Sequence, residues 1–388
     1  MNVLVTDGGT RPALAITRSL GRRGHRVVVA AARTPALAQT SRYCAERITH
    51  PDPAVDEAGA VDALVDAVRA HHIDVIVPVT DVAVGAVTRH RARFEPACRV
   101  PFAAAEVIAR ANDKAALMRR ASALGVPVPR SWYLDAPGMA LPADLPYPVV
   151  VKPHRSRVHT ARGWIACGVR QAADRAALEA DVRGRAAEEF PLILQERIDG
   201  PGLGVFACYR GGRPIAWFSH RRLREKPPWG GVSVLCESAP VPVDARRYAT
   251  QLLEELQWDG VAMVEFKQDA RDGTPMLMEI NPRFWGSLQL AIDAGVDFPV
   301  LLVEGGGDEP PAYRTGVRSR WFWGDVDALL LRLTAGRQAP PALDGDGKAR
   351  AALRWLALWQ RGQRYDNPTL DDVRPWLFET RQWLRRLR

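Results

Sequence analysis

Residues 2–31 run through an apolar strand (Asn2 to Thr6), a Gly8-Gly9 turn, an amphipathic helix (Pro12 to Arg23) closed by Gly24, and a second strand (His25 to Ala31). Two strands joined by a helix form a βαβ unit and pair in parallel. A third apolar run, Ile73 to Val79, follows the helix-patterned segment Gly59 to His72, and a further helical stretch runs from Asp81 to Arg91. This alternation predicts an α/β domain on a parallel sheet. Ligands of such sheets sit beyond the carboxyl ends of the strands, where Asp7-Gly8-Gly9-Thr10 and Thr80-Asp81 fall. Those loops are candidate small-molecule contacts; the competing reading is that Gly8 and Gly9 only make a tight turn. Neither GxGxxG nor GxxxxGK[ST] occurs, which excludes a dehydrogenase fingerprint and a P-loop.

The chain has 388 residues, beyond the roughly 250–300 at which single cores stop growing, so two or three domains are expected. The pattern changes near residues 105–111. Helix Asp113 to Leu124 is closed by Gly125 and followed by strand Tyr147 to Lys152. Strand-like runs then dominate: Trp164–Val169, Leu192–Glu196, Val205–Tyr209, Pro214–Phe218, Val232–Cys236, Val261–Gln268 and Pro275–Ile280, with one helix, Ala245–Leu256, among them. This second region reads as α+β with antiparallel pairs. Residues 305–311 are a linker by composition, and the tail beyond is Trp-rich and helical in pattern.

Hydrophobic residues at 47% and charged residues at 25% exclude a disordered chain. The net charge is +9, and residues 315–388, with 14 Lys/Arg against 8 Asp/Glu, supply +6 of it. Basicity is thus a property of the tail, and nucleic acid is not expected as a partner. The five cysteines show no CxxC spacing, so a structural zinc is not expected. No apolar run approaches the roughly 20 residues that span a bilayer, and the start lacks signal-peptide features, which predicts a cytoplasmic protein. In the last segment Val373, Trp376, Leu377, Trp383, Leu384 and Leu387 recur at helical spacing among arginines. Packing against the body is expected of this stripe rather than docking on an anionic membrane.

The chemistry concentrates between Val264 and Arg283. Two strands flank Arg271-Asp272-Gly273, and a three-residue hairpin with a left-handed Gly predicts a register in which Glu265 faces Glu279. Alternation puts Asn281 and Lys267 on that same face. Like charges directly opposed destabilise a sheet unless a cation lies between them. Two carboxylates and an amide oxygen, with no His or Cys nearby, make a hard oxygen site suited to Mg²⁺ that carries phosphates. The competing reading sets the glutamates on opposite faces or pairs them with Lys267 and Arg283.

A Glu on one strand followed by Glu279-Ile280-Asn281-Pro282-Arg283 on the next resembles the ATP-grasp superfamily. Asn112-Asp113-Lys114 resembles the first lysine of that family, Val149 to Pro153 the strand of the second, and Gln195 to Gly200 the adenine-binding hinge. The likeness covers about residues 110–305, and the preceding region is similar to the domain found before ATP-grasp in carbamoyl-phosphate-synthase-like and biotin-carboxylase-like ligases. The resemblance implies a Rossmann-like pre-ATP-grasp domain at 1–108, an α+β ATP-grasp domain at 109–305 with a lid at roughly 126–197, and a helical extension at 306–388.

It also implies roles. Lys114 and Lys152 would hold nucleotide phosphates; Glu196, Ile198 and Asp199 would lie at the base and ribose; Glu265, Glu279 and Asn281 would hold Mg²⁺ or Mn²⁺; Arg283 would steady the transferred phosphate, with Arg222 as a second basic group. The implied activity is an ATP-dependent carboxylate–amine ligase that works through an acylphosphate on small molecules, as a monomer or oligomer. The alternatives are a carboxylase that activates bicarbonate and a non-catalytic nucleotide sensor. The chain departs from the family at His154 to Gly163, an arginine-containing stretch where relatives carry a Gly-rich lid, and after the hinge, where Gly200 to Gly204 holds no acid.

Overall fold

The computed structural model describes residues 1–160, 163–307, 309–336, 345–358, 360 and 362–386. Ala161 and Arg162 of the stretch after Lys152, Asp308 of the linker, and Leu387 and Arg388 of the tail therefore lie outside the described residues. The N-terminal elements are β1 (Asn2–Val5), α1 (Arg11–Arg22), β2 (Arg26–Ala31), β3 (Cys44–Thr49), α2 (Glu57–Ala70), β4 (Val75–Val77) and α3 (Asp81–Arg89). Their strands form a parallel sheet in the order β3-β2-β1-β4. Val3, Leu4, Val5, Val27, Val28 and Val29 are fully buried, as central strands covered by helices on both faces must be. The edge strand β3 is absent from the sequence reading because Cys-Ala-Glu-Arg-Ile-Thr is largely exposed and carries no apolar alternation. Asp7 takes a left-handed φ of 55°, and its carboxylate accepts from Val79 N (3.2 Å), Thr80 N (3.1 Å) and Thr80 Oγ1 (2.9 Å). One side chain thereby ties the carboxyl end of β1 to that of β4.

Helices α4 (Ala105–Asn112) and α5 (Lys114–Ala123) lead into β5 (Ser131–Leu134), β6 (Val149–Pro153), β7 (Arg157–Thr160), β8 (Gly163–Ala166), β9 (Arg170–Ala172), α6 (Arg175–Arg183) and β10 (Leu192–Glu196). Four of these strands make a sheet in the order β5-β10-β6-β9, and β7 pairs with β8 apart from it. Then follow β11 (Gly202–Arg210), β12 (Arg213–Lys226), β13 (Val232–Ala239), α7 (Val243–Glu255), β14 (Gly260–Gln268), β15 (Pro275–Asn281), α8 (Leu288–Ala294), α9 (Phe298–Glu304) and β16 (Arg318–Arg320). The chain ends with α10 (Phe322–Thr334), α11 (Lys348–Leu356), β17 (Gln363–Tyr365) and α12 (Arg374–Arg386). A seven-stranded sheet in the order β15-β14-β11-β12-β13-β16-β17 carries the large core, with Phe206, Phe218, Phe266, Trp285 and Phe298 buried on it. The tail thus adds two strands to the sheet as well as helices.

The tail is anchored on the first domain through a buried ion pair. Arg18 Nε donates to Asp372 Oδ2 at 2.9 Å, with side-chain exposures of 1% and 0%, and Ser41 Oγ donates to the same oxygen at 2.6 Å. On α12, Trp383 stacks on Trp323 with centroids 4.2 Å apart and donates to Asp327 Oδ1 at 2.7 Å. The stripe is split: Trp376 and Trp383 turn inward, whereas Val373, Leu377 and Leu384 are exposed. No helix of the described residues is long and apolar enough to cross a membrane. Breaking a buried pair strands its partner's charge, so Asp372→Ala is expected to cost about 3–5 kcal/mol in urea unfolding. Arg18→Met combined with Asp372→Leu should recover most of it. A near-neutral single variant would show that the anchor lies elsewhere.

Candidate functional site

The expected pair is present: Glu265 stands directly opposite Glu279. It arises by a different route. The turn holds four residues, Ala270 to Gly273, between Asp269 and Thr274, whose backbones bond at 2.9 Å, and a bulge then restores the facing pair. Gly273, at φ 81°, supplies the left-handed residue. Next to the turn, Phe266 pairs with Leu277; beyond it Glu265 pairs with Glu279, leaving Met278 as the extra residue.

Each carboxylate has its own cation. Arg222 Nη2 on β12 lies 2.9 Å from Glu265 Oε1, and Lys114 Nζ lies 3.2 Å from Glu279 Oε2 while donating to Ser156 Oγ at 2.8 Å. Asp113 caps α5 by accepting from Ala116 N at 2.9 Å, which makes Lys114 the first helical residue. Asn281 Nδ2 donates to Glu279 Oε1 at 2.9 Å, leaving its carbonyl to accept from Arg283 Nη2 at 3.1 Å. Lys267 and Arg283, the alternative partners, point elsewhere: Lys267 Nζ donates to Ile198 O at 2.7 Å, and Arg283 Nε to Asp81 Oδ2 at 2.9 Å.

The two carboxyls are driven in opposite directions. Burial and the charge of Glu279 push Glu265 above the usual range despite Arg222. Burial also acts to raise Glu279, but Lys114, the Asn281 amide and Lys152 hold it below that range. Lys152, on β6 with Nζ 3.9 Å from Met278 Sδ, is pushed down to about 8, first by burial and then by the charge of Lys114. Such divergent titration within one cleft is a mark of functional sites.

Lys114, Lys152, Arg222, Glu265, Glu279, Asn281 and Arg283 therefore form one connected group. The hinge residues join it less directly. Glu196 Oε1 accepts from Arg130 N at 3.2 Å. Ile198 is buried and linked to β14 through Lys267. Asp199 is exposed and paired with Arg197 at 2.5 Å. A bulge separates Arg222 from Arg224, and Arg224 pairs with Asp325 at 2.7 Å. The sequence gives no sign of the Ser156 and Asp81 contacts, which join residues 42 and 202 positions apart.

Among the described residues no three or more His, Cys, Asp or Glu gather as a metal cluster. A cation here would rest on two carboxylates, one amide oxygen and the ligand it carries, a donor set that fits Mg²⁺. Two cavities flank the group. One of about 290 Å³ is lined by Lys114, Arg155, Ser156, Glu279 and Asn281. One of about 700 Å³ lies over the N-terminal strand ends, and Asp81, Val82, Arg157 and Arg283 line both.

Residues 188–322 match a family model described as "ATP-grasp in the biosynthetic pathway with Ter operon". Similar solved structures include the N5-carboxyaminoimidazole synthetase of Staphylococcus aureus (14% identity, TM-score 0.63, 86% of this chain and 84% of that one). The L-amino acid ligase of Bacillus licheniformis matches at 18% identity and a TM-score of 0.59, covering 79% and 73% of the two chains. The biotin carboxylase of Campylobacter jejuni matches at 16% and 0.63, covering 82% and 74%. No curated protein matches the sequence.

Burying a charged Lys152 opposes folding at pH 7. Between about 8 and its ordinary 10.5 the unfolded chain binds the proton more readily than the folded one, so this contribution to stability rises with pH. Lys152→Met is accordingly expected to stabilise the chain by about 1–3 kcal/mol at pH 7, with the gain fading toward pH 10.5. Urea titrations across that range check it; a loss of stability at pH 7 would mean that Lys152 contributes more through its partners than its burial costs.

Proposed function

We propose that this chain, which has the ATP-grasp fold, is an ATP-dependent ligase that joins a carboxylate to an amine or related nucleophile. The observation that carries the reading is the facing pair Glu265–Glu279, with Asn281 beside it and Lys114 and Lys152 above it. Two opposed carboxylates under two lysines suit a polyphosphate and its Mg²⁺ better than they suit folding alone. Bound there, MgATP would supply a phosphoryl group whose negative charge the metal offsets.

The chain's own residues do the rest by position and charge. Lys114 and Lys152 hold phosphate oxygens, and each exchanges its present partner for the ligand. Glu265, Glu279 and Asn281 would hold the cation, and Arg222, which pairs with Glu265 at 2.9 Å, would be the counter-charge that the cation replaces. A substrate carboxylate oxygen attacks the terminal phosphorus, the bond to the ADP oxygen breaks, and an acylphosphate forms. Arg283, at the junction of the two cavities, steadies the charge on that intermediate. The nucleophile then attacks the acyl carbon, loses its proton to solvent or a nearby base, and expels phosphate, leaving ADP, phosphate and the amide. Glu196, Ile198 and Asp199 hold the base and ribose in this reading. The bicarbonate alternative rests on likeness of fold alone.

Two outcomes are expected. Glu279→Gln and Asn281→Ala should each abolish ATP turnover with unfolding midpoints near wild type, measured by ADP release and thermal melts; full turnover in either would remove the metal site. With ¹⁸O in the substrate carboxylate, one label should appear in the released phosphate, and AMP as product would instead indicate adenylation.

A further inference from the structure

The larger cavity carries charges of both signs that the fold leaves unpaired. Arg33 follows β2 and Asp52 follows β3; both are exposed, and both line the cavity. Among the described residues neither takes part in an ion pair, and Asp52 Oδ1 accepts from Ala54 N at 2.9 Å within its own turn. The two loops are neighbours because β2 and β3 pair in parallel, with Ala31 opposite Thr49 and His50 N donating to Ala31 O at 3.2 Å. The other carboxylates of this wall are already used: Asp7 by Thr80 and Val79, and Asp81 by Arg283. Arg157, at the junction with the smaller cavity, is likewise without an ion-pair partner among the described residues. Gln382 of α12 reaches the same wall, so the anchored tail helps to close it.

Opposite charges on neighbouring loops that do not pair with each other match a ligand head that carries both signs. The planar fork of Arg33 suits a carboxylate, and Asp52 has a free oxygen for an ammonium. Arg157 and Arg283, which line both cavities, stand where a second carboxylate would meet the phosphate-holding group. We propose that the larger cavity binds the acid to be activated, a small amino diacid whose zwitterionic head lies between Arg33 and Asp52 and whose distal carboxylate lies at Arg157 and Arg283. The assignment rests on the ligase reading and names its substrate class; Arg33 and Asp52 are its specificity-determining residues, since neither touches the reacting atoms.

The test is calorimetry on the full chain with Mg²⁺ and a non-hydrolysable ATP analogue. The probes are L-aspartate, L-glutamate and L-2-aminoadipate, each beside its des-amino diacid (succinate, glutarate, adipate) and its des-carboxyl amino acid (β-alanine, 4-aminobutyrate, 5-aminopentanoate). At least one amino diacid is expected to bind about tenfold or more tighter than both its counterparts, as loss of a bond to a charged group implies. Asp52→Asn should erase the advantage over the des-amino acid, and Arg33→Gln the advantage over the des-carboxyl one. Both positions lie on exposed loops, so melting points near wild type are expected and confirm folding. Equal binding of the counterparts, indifference to both substitutions, or no binding of any probe while the ATP analogue binds would overturn the assignment and leave the ligase reading standing. Failure of the ATP analogue to bind would overturn the nucleotide reading and this assignment with it.

Discussion

Two glutamates face each other across β14 and β15, and the architecture around them follows from keeping that arrangement stable. Directly opposed side chains in an antiparallel pair have Cβ atoms only about 4.5–5.5 Å apart, too close for two carboxylates without cations. The chain brings those cations from different places. Arg222 comes from β12 of the same sheet, Lys114 from the first turn of α5, and Lys152 from β6 of the smaller sheet. The pair is therefore a point at which three structural units meet, and its two members titrate apart because their partners differ: one arginine for Glu265, two lysines and an amide for Glu279.

The same stripe reaches the N-terminal domain. Glu279, Asn281 and Arg283 follow one another at the two-residue spacing of a strand face, and each hands a bond to the next: Asn281 to Glu279, Arg283 to Asn281, and Arg283 onward to Asp81 at the start of α3. Asp81 sits beside the carboxyl ends of β1 and β4, which Asp7 holds together. One run of polar residues thus connects the facing glutamates with the cavity over the parallel sheet. That continuity sets Arg283 where the two cavities meet.

Much of this was legible in the residues. The parallel sheet followed from the alternation of apolar runs and helices, and the facing glutamates from strand period and the Asp-Gly turn. The route to the facing pair was not: a longer turn and a bulge at Met278 offset one another, and neither leaves a mark in a hydrophobic pattern. β3 was invisible because an exposed edge strand has no apolar face to alternate, and β16 and β17 because three residues are too few to show a period. The side-chain cations beside the pair were not legible for a related reason. Lys267 and Arg283 are near in sequence, but Arg222 and Lys114 are near in space, and only the folded topology brings β12 and α5 to the same spot.

The choice of lysine at the cleft is itself informative. Lys114, Lys152, Lys226, Lys267 and Lys348 are the only lysines in a chain that otherwise uses arginine. Lys226 pairs with Asp327, and Lys348 donates to carbonyls at the end of α10; the other three reach Glu279, Met278 and the carbonyl of Ile198. Arginine stays charged at any ordinary pH and demands several partners for its fork, whereas lysine is a single point charge that loses its proton when burial makes the charge costly. With Lys152 already lowered to about 8, its proton is held less firmly than that of an exposed lysine, and a polyanion beside it would hold that proton more firmly. An arginine there would keep its full desolvation cost whenever the cleft was closed without ligand. A lysine at this buried position therefore carries a smaller and more adjustable electrostatic cost than an arginine would.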